Sequence, residues 1–197
     1  MRIGIFGGTF NPIHTAHLLL AETARDTLKL NRILFIPAHH PPHKHGRGIL
    51  PGSVRFKLVQ LAIQDHSAFA ASDIELRRTG PSYSIDTVRV LLERLPQAKF
   101  FLLIGEDMLT VRWAAWEELK RLCTVVVAHR PLGQLQTLRG ARSARANRDL
   151  KWLAMPQLDI TSSDIRLRLK GGRSIRYLVP PSVERYIQEH RLYGGHA

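Results

Sequence analysis

Cysteine is nearly absent: the 197 residues contain one, Cys123. A single thiol cannot close an intramolecular disulfide, so a small cross-linked secreted scaffold is excluded and the cytoplasm is the expected compartment. No apolar run approaches the roughly 18 residues that a membrane-spanning helix needs. The first residues enter a short apolar run directly, without the successive basic, apolar and cleavage regions of a signal peptide. Metal-binding Cys/His spacing and the aromatic motif of RNA-binding sheets are both missing. So is the G-x-G-x-x-G pattern, which speaks against a bound redox dinucleotide. No internal repeat or low-complexity tract is evident. Acidic residues are scarce, 16 against 29 Lys and Arg, for a formal net charge of +13. That excess suits a nucleic-acid partner and equally suits an enzyme working on polyphosphates. Its densest part is Arg139, Arg142, Arg145 and Arg148, every third residue, which fits a basic helical face or a solvated loop.

What is present is organised around residues 2–17, RIGIFGGTFNPIHTAH. Arg2 to Phe6 is short and apolar and reads as a buried strand; Gly7 and Gly8 bound it; a helical pattern runs from about Thr15 to Leu28. Strand, glycine turn and helix open a doubly wound α/β sheet. Glycines let backbone approach a ligand, and the helix start offers N–H groups and a positive dipole end, which together favour phosphate. His14 and His17, three apart, share one side of that helix start. There they can donate to phosphate oxygens or supply a proton; metal ligation and plain packing stay open as alternatives.

Further apolar runs follow. Arg32 to Pro37 reads as a second strand leading into Ala38-His39-His40-Pro41-Pro42-His43-Lys44-His45. Lys44 puts a cation at that strand's end; the histidines leave a metal tract open. Residues 51–65 form a helix with Val54, Leu58, Leu61 and Ala62 on its apolar face and Arg55, Lys57 and Gln60 on others. Residues 73–76 read as a short strand, and Ser84 as the cap of the next helix. Residues 99–104 are almost continuously apolar, as a doubly covered parallel strand should be. Gly105 and Asp107 then stand where α/β folds bind ligands, and a carboxylate there suits ribose hydroxyls or simply starts a helix. Trp113 and Trp116 suit core packing or stacking on a flat ring. Residues 124–128 and a segment within 152–158 complete the strands. Thr161, Ser162 and Ser163 open a helix ending near Lys170, with Arg166 one turn in: an ordinary cap, or a second anion site with an arginine fork. The alternation of elements predicts an α/β fold, a Rossmann-like doubly wound parallel sheet with a short C-terminal helical extension over about 162–197, in one domain spanning 1–197.

Gly7-Gly8-Thr9-Phe10-Asn11-Pro12-Ile13-His14-Thr15-Ala16-His17 resembles the nucleotidyltransferase superfamily signature G-G-T/S-F-D/N-P-x-H-x-G-H, with Ala16 in place of the glycine. Residues 160–166, I-T-S-S-D-I-R, are similar to its second signature, I-S-S-T-x-I-R. Within the superfamily the chain resembles bacterial nicotinate mononucleotide adenylyltransferases, through P-P-H-K at 41–44, S-Y-S-I-D-T at 82–87, G-E-D-M-L at 105–109 and the paired tryptophans.

The resemblance implies adenylyl transfer from ATP to nicotinate mononucleotide, giving deamido-NAD and pyrophosphate in NAD biosynthesis. It implies catalytic roles for His14, His17, Lys44 and Arg166. ATP would meet Gly7, Gly8, Thr9, Phe10, Gly105, Asp107, Arg130, Ser162 and Ser163; the mononucleotide would meet Asn11, Tyr83, Thr87 and Trp113, with Trp116 in the core. Mg2+ is expected on the triphosphate rather than in a protein cage. The expected partners are these two small molecules, without nucleic acid or membrane; monomer and homo-oligomer are equally open. A relative acting on nicotinamide mononucleotide or another phosphate acceptor is the alternative reading, and a basic nucleic-acid-binding protein is a remoter one.

Overall fold

The computed structural model describes residues 1–41, 48–129, 149–156 and 158–194. His43, Lys44, Arg130 and the arginines of 139–148 lie outside the described residues. Strands β1 (Arg2–Gly8), β2 (Arg32–Pro37), β3 (Phe69–Ala71), β4 (Lys99–Gly105), β5 (Thr124–His129) and β6 (Lys151–Ala154) form one sheet in the order β3-β2-β1-β4-β5-β6. Every pairing is parallel. This is the doubly wound, Rossmann-like arrangement, in which strand order reverses between β1 and β4 and leaves a crevice at their C-terminal ends.

The period-2 alternation of strand side chains divides the core. Phe6, Ile33, Phe35, Phe101, Leu103, Val126 and Ala128 face one layer, made with α1 (Thr15–Leu28), α2 (Gly52–Ile63), α5 (Ser162–Lys170) and α6 (Pro181–Glu189). Ile3, Ile5, Ile36, Leu102, Ile104, Val125 and Val127 face the other, made with α3 (Ser84–Arg94) and α4 (Trp116–Leu122). Both faces are covered, which is why the strands read as unbroken apolar runs. Gly4 sits close beneath the first layer: a Cβ there would meet Leu30 Cδ1 at 3.0 Å and Ile33 Cγ1 at 3.1 Å. Cys123 is buried in the second layer, and burial pushes its thiol up to about 12, so it packs as an apolar side chain rather than acting as a nucleophile. Among the described residues no helix is long and apolar enough to cross a membrane.

Three local expectations need correction. The third strand is Phe69–Ala71, paired with Ile33 to Phe35, not residues 73–76. Asp73 instead accepts from Arg77 through both its carbonyl (3.1 Å) and its carboxylate (2.7 Å), closing a turn in which Ile74 and Glu75 are both buried. Ser84 opens α3 without capping it; the extended residue before the helix is Tyr83. In α2 the fully buried face carries Arg55, Leu58, Val59 and Ile63, so the helix is rotated by about one residue and Arg55 points inward.

Candidate active site

The crevice between the ends of β1 and β4 opens into a cleft of about 970 Å³. Its floor is the loop from Gly7 to His14. Gly8 has no room for a side chain, because a Cβ would lie 2.9 Å from the Phe10 ring. Phe10 holds a left-handed backbone (φ 47°) that tucks its ring beneath the loop, edge-on to Phe6 at 5.5 Å and to His17 at 5.1 Å. His14 caps α1, with its backbone N–H donating to His17 Nδ1 at 3.2 Å. The two imidazoles stack with centroids 3.6 Å apart. Since Nδ1 of His17 accepts, the proton of the neutral ring sits on Nε2, which is therefore a donor. Ala16 also lines the cleft.

A second helix start meets this loop from 150 residues away. Thr161 caps α5 by accepting from Asp164 N–H, Ser162 Oγ donates to Pro12 O at 2.8 Å, and Arg166 Nη1 donates to Asn11 O at 2.8 Å. Nη2 of Arg166 donates to Ser163 Oγ at 3.1 Å, so the guanidinium is held against the cleft by two neighbours. His14, His17, Ser162, Ser163 and Arg166 thus share one wall, where two helix N-termini favour anions.

The opposite wall comes from β4 and the 3₁₀ turn Glu106–Thr110. A Cβ at Gly105 would meet the Asp107 carboxylate, which would have to turn aside. Glu106, beside Asp107, accepts from His129 Nδ1 at 2.8 Å. At the far end Trp113 donates its indole N–H to Met108 O at 2.7 Å and lies 5.3 Å from Trp116. Trp113 precedes α4 and Trp116 begins it, so the pair is not on one helix face. Tyr83 stands exposed across from it.

Two residues expected on the mononucleotide side already have protein partners, though Asn11 also lines the cleft. Thr87 is buried, and its hydroxyl donates to Glu75 Oε1 at 2.7 Å. Asn11 is also buried: Oδ1 accepts from Leu50 N–H (3.2 Å) and Tyr193 Oη–H (2.9 Å), while Nδ2 donates to Gly48 O (3.0 Å). Gly7, Thr9, Phe10 and Asp107 line the cleft.

Sequence reasoning missed Arg55, Glu75, Ser82 and Tyr193. Arg55 donates to Leu50 O (2.8 Å), Thr9 O (2.7 Å) and Ala38 O (2.7 Å), tying three loops together from below the cleft. Its place at i, i+3 and i+4 from Leu58 and Val59 was a usable signal. Ser82 Oγ accepts the backbone N–H groups of His39 (2.9 Å) and His40 (3.3 Å). Glu75 is a buried acid on the cleft wall. Burial pushes its carboxyl above the ordinary 4.5, while Thr87, Arg78 and Ser82 pull it back and Asp86 adds to the rise.

That shift has a sign in stability. The folded protein holds the Glu75 proton above the pH at which the unfolded chain loses it, so this group costs stability as pH climbs from 4.5 toward the raised value. Glu75→Gln does not titrate. Urea unfolding at about pH 5 and about pH 8 is expected to show the variant gaining on the natural protein at the higher pH; a constant gap would contradict the assignment.

Among the described residues no three His, Cys, Asp or Glu side chains come together as a metal cage. The cleft brings together helix ends, imidazoles and an arginine, which suit anions, beside carboxylates and an aromatic face.

The sequence pattern of the cytidylyltransferase-like family matches residues 5–168. A Geobacter sulfurreducens protein named "Probable nicotinate-nucleotide adenylyltransferase" is 45% identical, with 98% of each chain covered. A Synechococcus protein of the same name is 44% identical over 98% of this chain and 94% of its own. In fold, the chain is similar to Plasmodium falciparum nicotinic acid mononucleotide adenylyltransferase complexed with NaAD: TM-score 0.77, 19% identity, 99% and 98% covered. With the signature loop, the second helix start and the 3-2-1-4-5-6 sheet in place, the chain belongs to the cytidylyltransferase-like family and, within it, to the nicotinate-nucleotide adenylyltransferases.

Proposed function

We propose that the cleft joins ATP and nicotinate mononucleotide into nicotinate adenine dinucleotide, releasing pyrophosphate, as a cytoplasmic step of NAD biosynthesis. The observation that carries this reading is the convergence of two helix N-termini, a stacked histidine pair and Arg166 on one wall, with Trp113 at the far end.

A phosphate oxygen of the mononucleotide attacks the α-phosphorus of ATP. The new P–O bond forms as the bond from the α-phosphorus to the bridging oxygen breaks, and pyrophosphate leaves with that electron pair. The nucleophile is already anionic, so no side chain need take a proton or form an intermediate. The protein supplies alignment and charge stabilisation. His14 and His17 donate to the transferring phosphate, Arg166 to the leaving oxygens, and Ser162 and Ser163 with the α5 N-terminus to the β/γ end. The backbone of Gly7, Gly8, Thr9 and Phe10 lies along the triphosphate, and Gly105 and Asp107 meet the ribose. Tyr83 and Trp113 cover the pyridine ring. Asn11 and Thr87 act from beneath the surface, through the loop and through Glu75. Lys44 and Arg130 keep the catalytic and ATP-binding roles that the resemblance implies. Mg2+ enters as the metal of MgATP, where it neutralises the phosphate oxygens.

The reading is tested by pyrophosphate release from MgATP with nicotinate or nicotinamide mononucleotide in parallel. Strong preference for the acid is expected. Equal rates or preference for the amide would move the substrate to nicotinamide mononucleotide, and no release with either would overturn the activity.

A further inference from the structure

The chain's last turn reaches back into the signature loop. Tyr193 lies in the 3₁₀ turn Leu192–Gly194, 182 residues from Asn11, yet its hydroxyl donates to Asn11 Oδ1 at 2.9 Å. The same oxygen accepts from Leu50 N–H, so both its lone pairs are used. The Asn11 carbonyl meanwhile accepts from Arg166. One residue of the loop is thus gripped from three directions: the segment before α2, the α5 helix and the C-terminal turn. A fourth grip lies at the end of the loop, where Thr15 N–H and Oγ–H both reach Leu178 O, at 2.9 and 3.0 Å.

The tyrosine is set at some conformational expense. Its backbone is left-handed (φ 64°, ψ 17°), a region that bulky residues seldom enter unless their surroundings fix them there. Burial pushes its phenol above the usual range, against the pull of Arg166 and Arg55, so the hydroxyl remains a donor at any working pH.

We propose that Tyr193 is a positioning residue for adenylyl transfer: by saturating Asn11 Oδ1 it fixes the 9–14 loop in the conformation that presents His14 and His17 to the transferring phosphate. The assignment rests on the function proposed above. Tyr193 touches no reacting atom; it acts through Asn11.

Tyr193→Phe keeps the ring and removes the hydroxyl. Tyr186→Phe removes a hydroxyl from the neighbouring helix α6, whose ring stacks on His190 away from the loop, and serves as the control. Two readouts are taken: kcat with both substrates saturating, and amide hydrogen exchange across residues 9–14 without substrate. Tyr193→Phe is expected to exchange faster at 9–14 and to lose about tenfold in kcat, the order of one net hydrogen bond, with KM for ATP little changed. Tyr186→Phe is expected to match the natural protein in both. Exchange at 9–14 unchanged by Tyr193→Phe overturns the proposal whatever the rate does, and so does faster exchange with natural kcat. If the natural protein itself releases no pyrophosphate, the function above has failed, and the exchange arm alone still decides whether Tyr193 fixes the loop.

Discussion

Replacing His17 with alanine is expected to lower kcat by about 10²–10³, the usual loss when one preorganised donor to developing charge is removed. The expectation follows from geometry. His17 stands in the first turn of α1 on the cleft wall, its Nδ1 accepting from His14 N–H, which leaves Nε2 to carry the proton. Stacking on His14 at 3.6 Å and the Phe10 edge at 5.1 Å restrict its ring, so little reorganisation accompanies the reaction. The fold should survive, since the change removes one acceptor at a helix start, worth about 1 kcal/mol. Steady-state kinetics with a circular-dichroism control checks this. Near-natural turnover in a folded His17→Ala protein would remove the histidine from the chemistry.

Arg55→Leu is expected to cost about 3 kcal/mol of stability, or roughly 6–12 °C in Tm for a chain of this size. The side chain is fully buried, and its guanidinium donates to the carbonyls of Leu50, Thr9 and Ala38, with a longer contact to His39 O at 3.5 Å. Among the described residues no carboxylate pairs with it. Burial lowers its pKa, yet an arginine stays charged under any ordinary condition. Leucine relieves that desolvation but leaves the carbonyls facing apolar carbon, and the lost bonds to a charged donor outweigh the relief. Arg55→Lys keeps the charge and loses the fork, so it should recover less than half of the difference. Urea unfolding measures both; a loss under about 1 kcal/mol for Arg55→Leu would show that the loops hold without it.

The wall that carries both helix starts was readable in the sequence because its signals are local. Gly7-Gly8 before a helix start, and Thr161 to Arg166 at another, each specify a backbone geometry within a few residues. The parallel sheet was readable because doubly covered strands are continuous apolar runs. Arg55 was misplaced for the opposite reason. Val54, Leu58, Leu61 and Ala62 made an acceptable apolar stripe, and the carbonyls that justify turning the helix to bury Arg55 lie in loops that the helix period does not reveal. Residues 73–76 failed similarly: Ile74 and Leu76, two apart, share the period of a strand, whereas the segment is a turn that buries Ile74 and Glu75 side by side. Asn11 and Thr87 stood in the right motifs, but which partner takes a polar side chain is set by residues as remote as Tyr193 and Glu75.

In the proposed reaction the bond broken lies between the α- and β-phosphates of ATP. The direct measurement follows isotopic phosphorus from ATP labelled separately at the α and γ positions, with nicotinate mononucleotide as acceptor. The account predicts α label in the dinucleotide and γ label in pyrophosphate. Label from the γ position passing into a phosphorylated mononucleotide would contradict it, because the cleft would then transfer a phosphoryl rather than an adenylyl group.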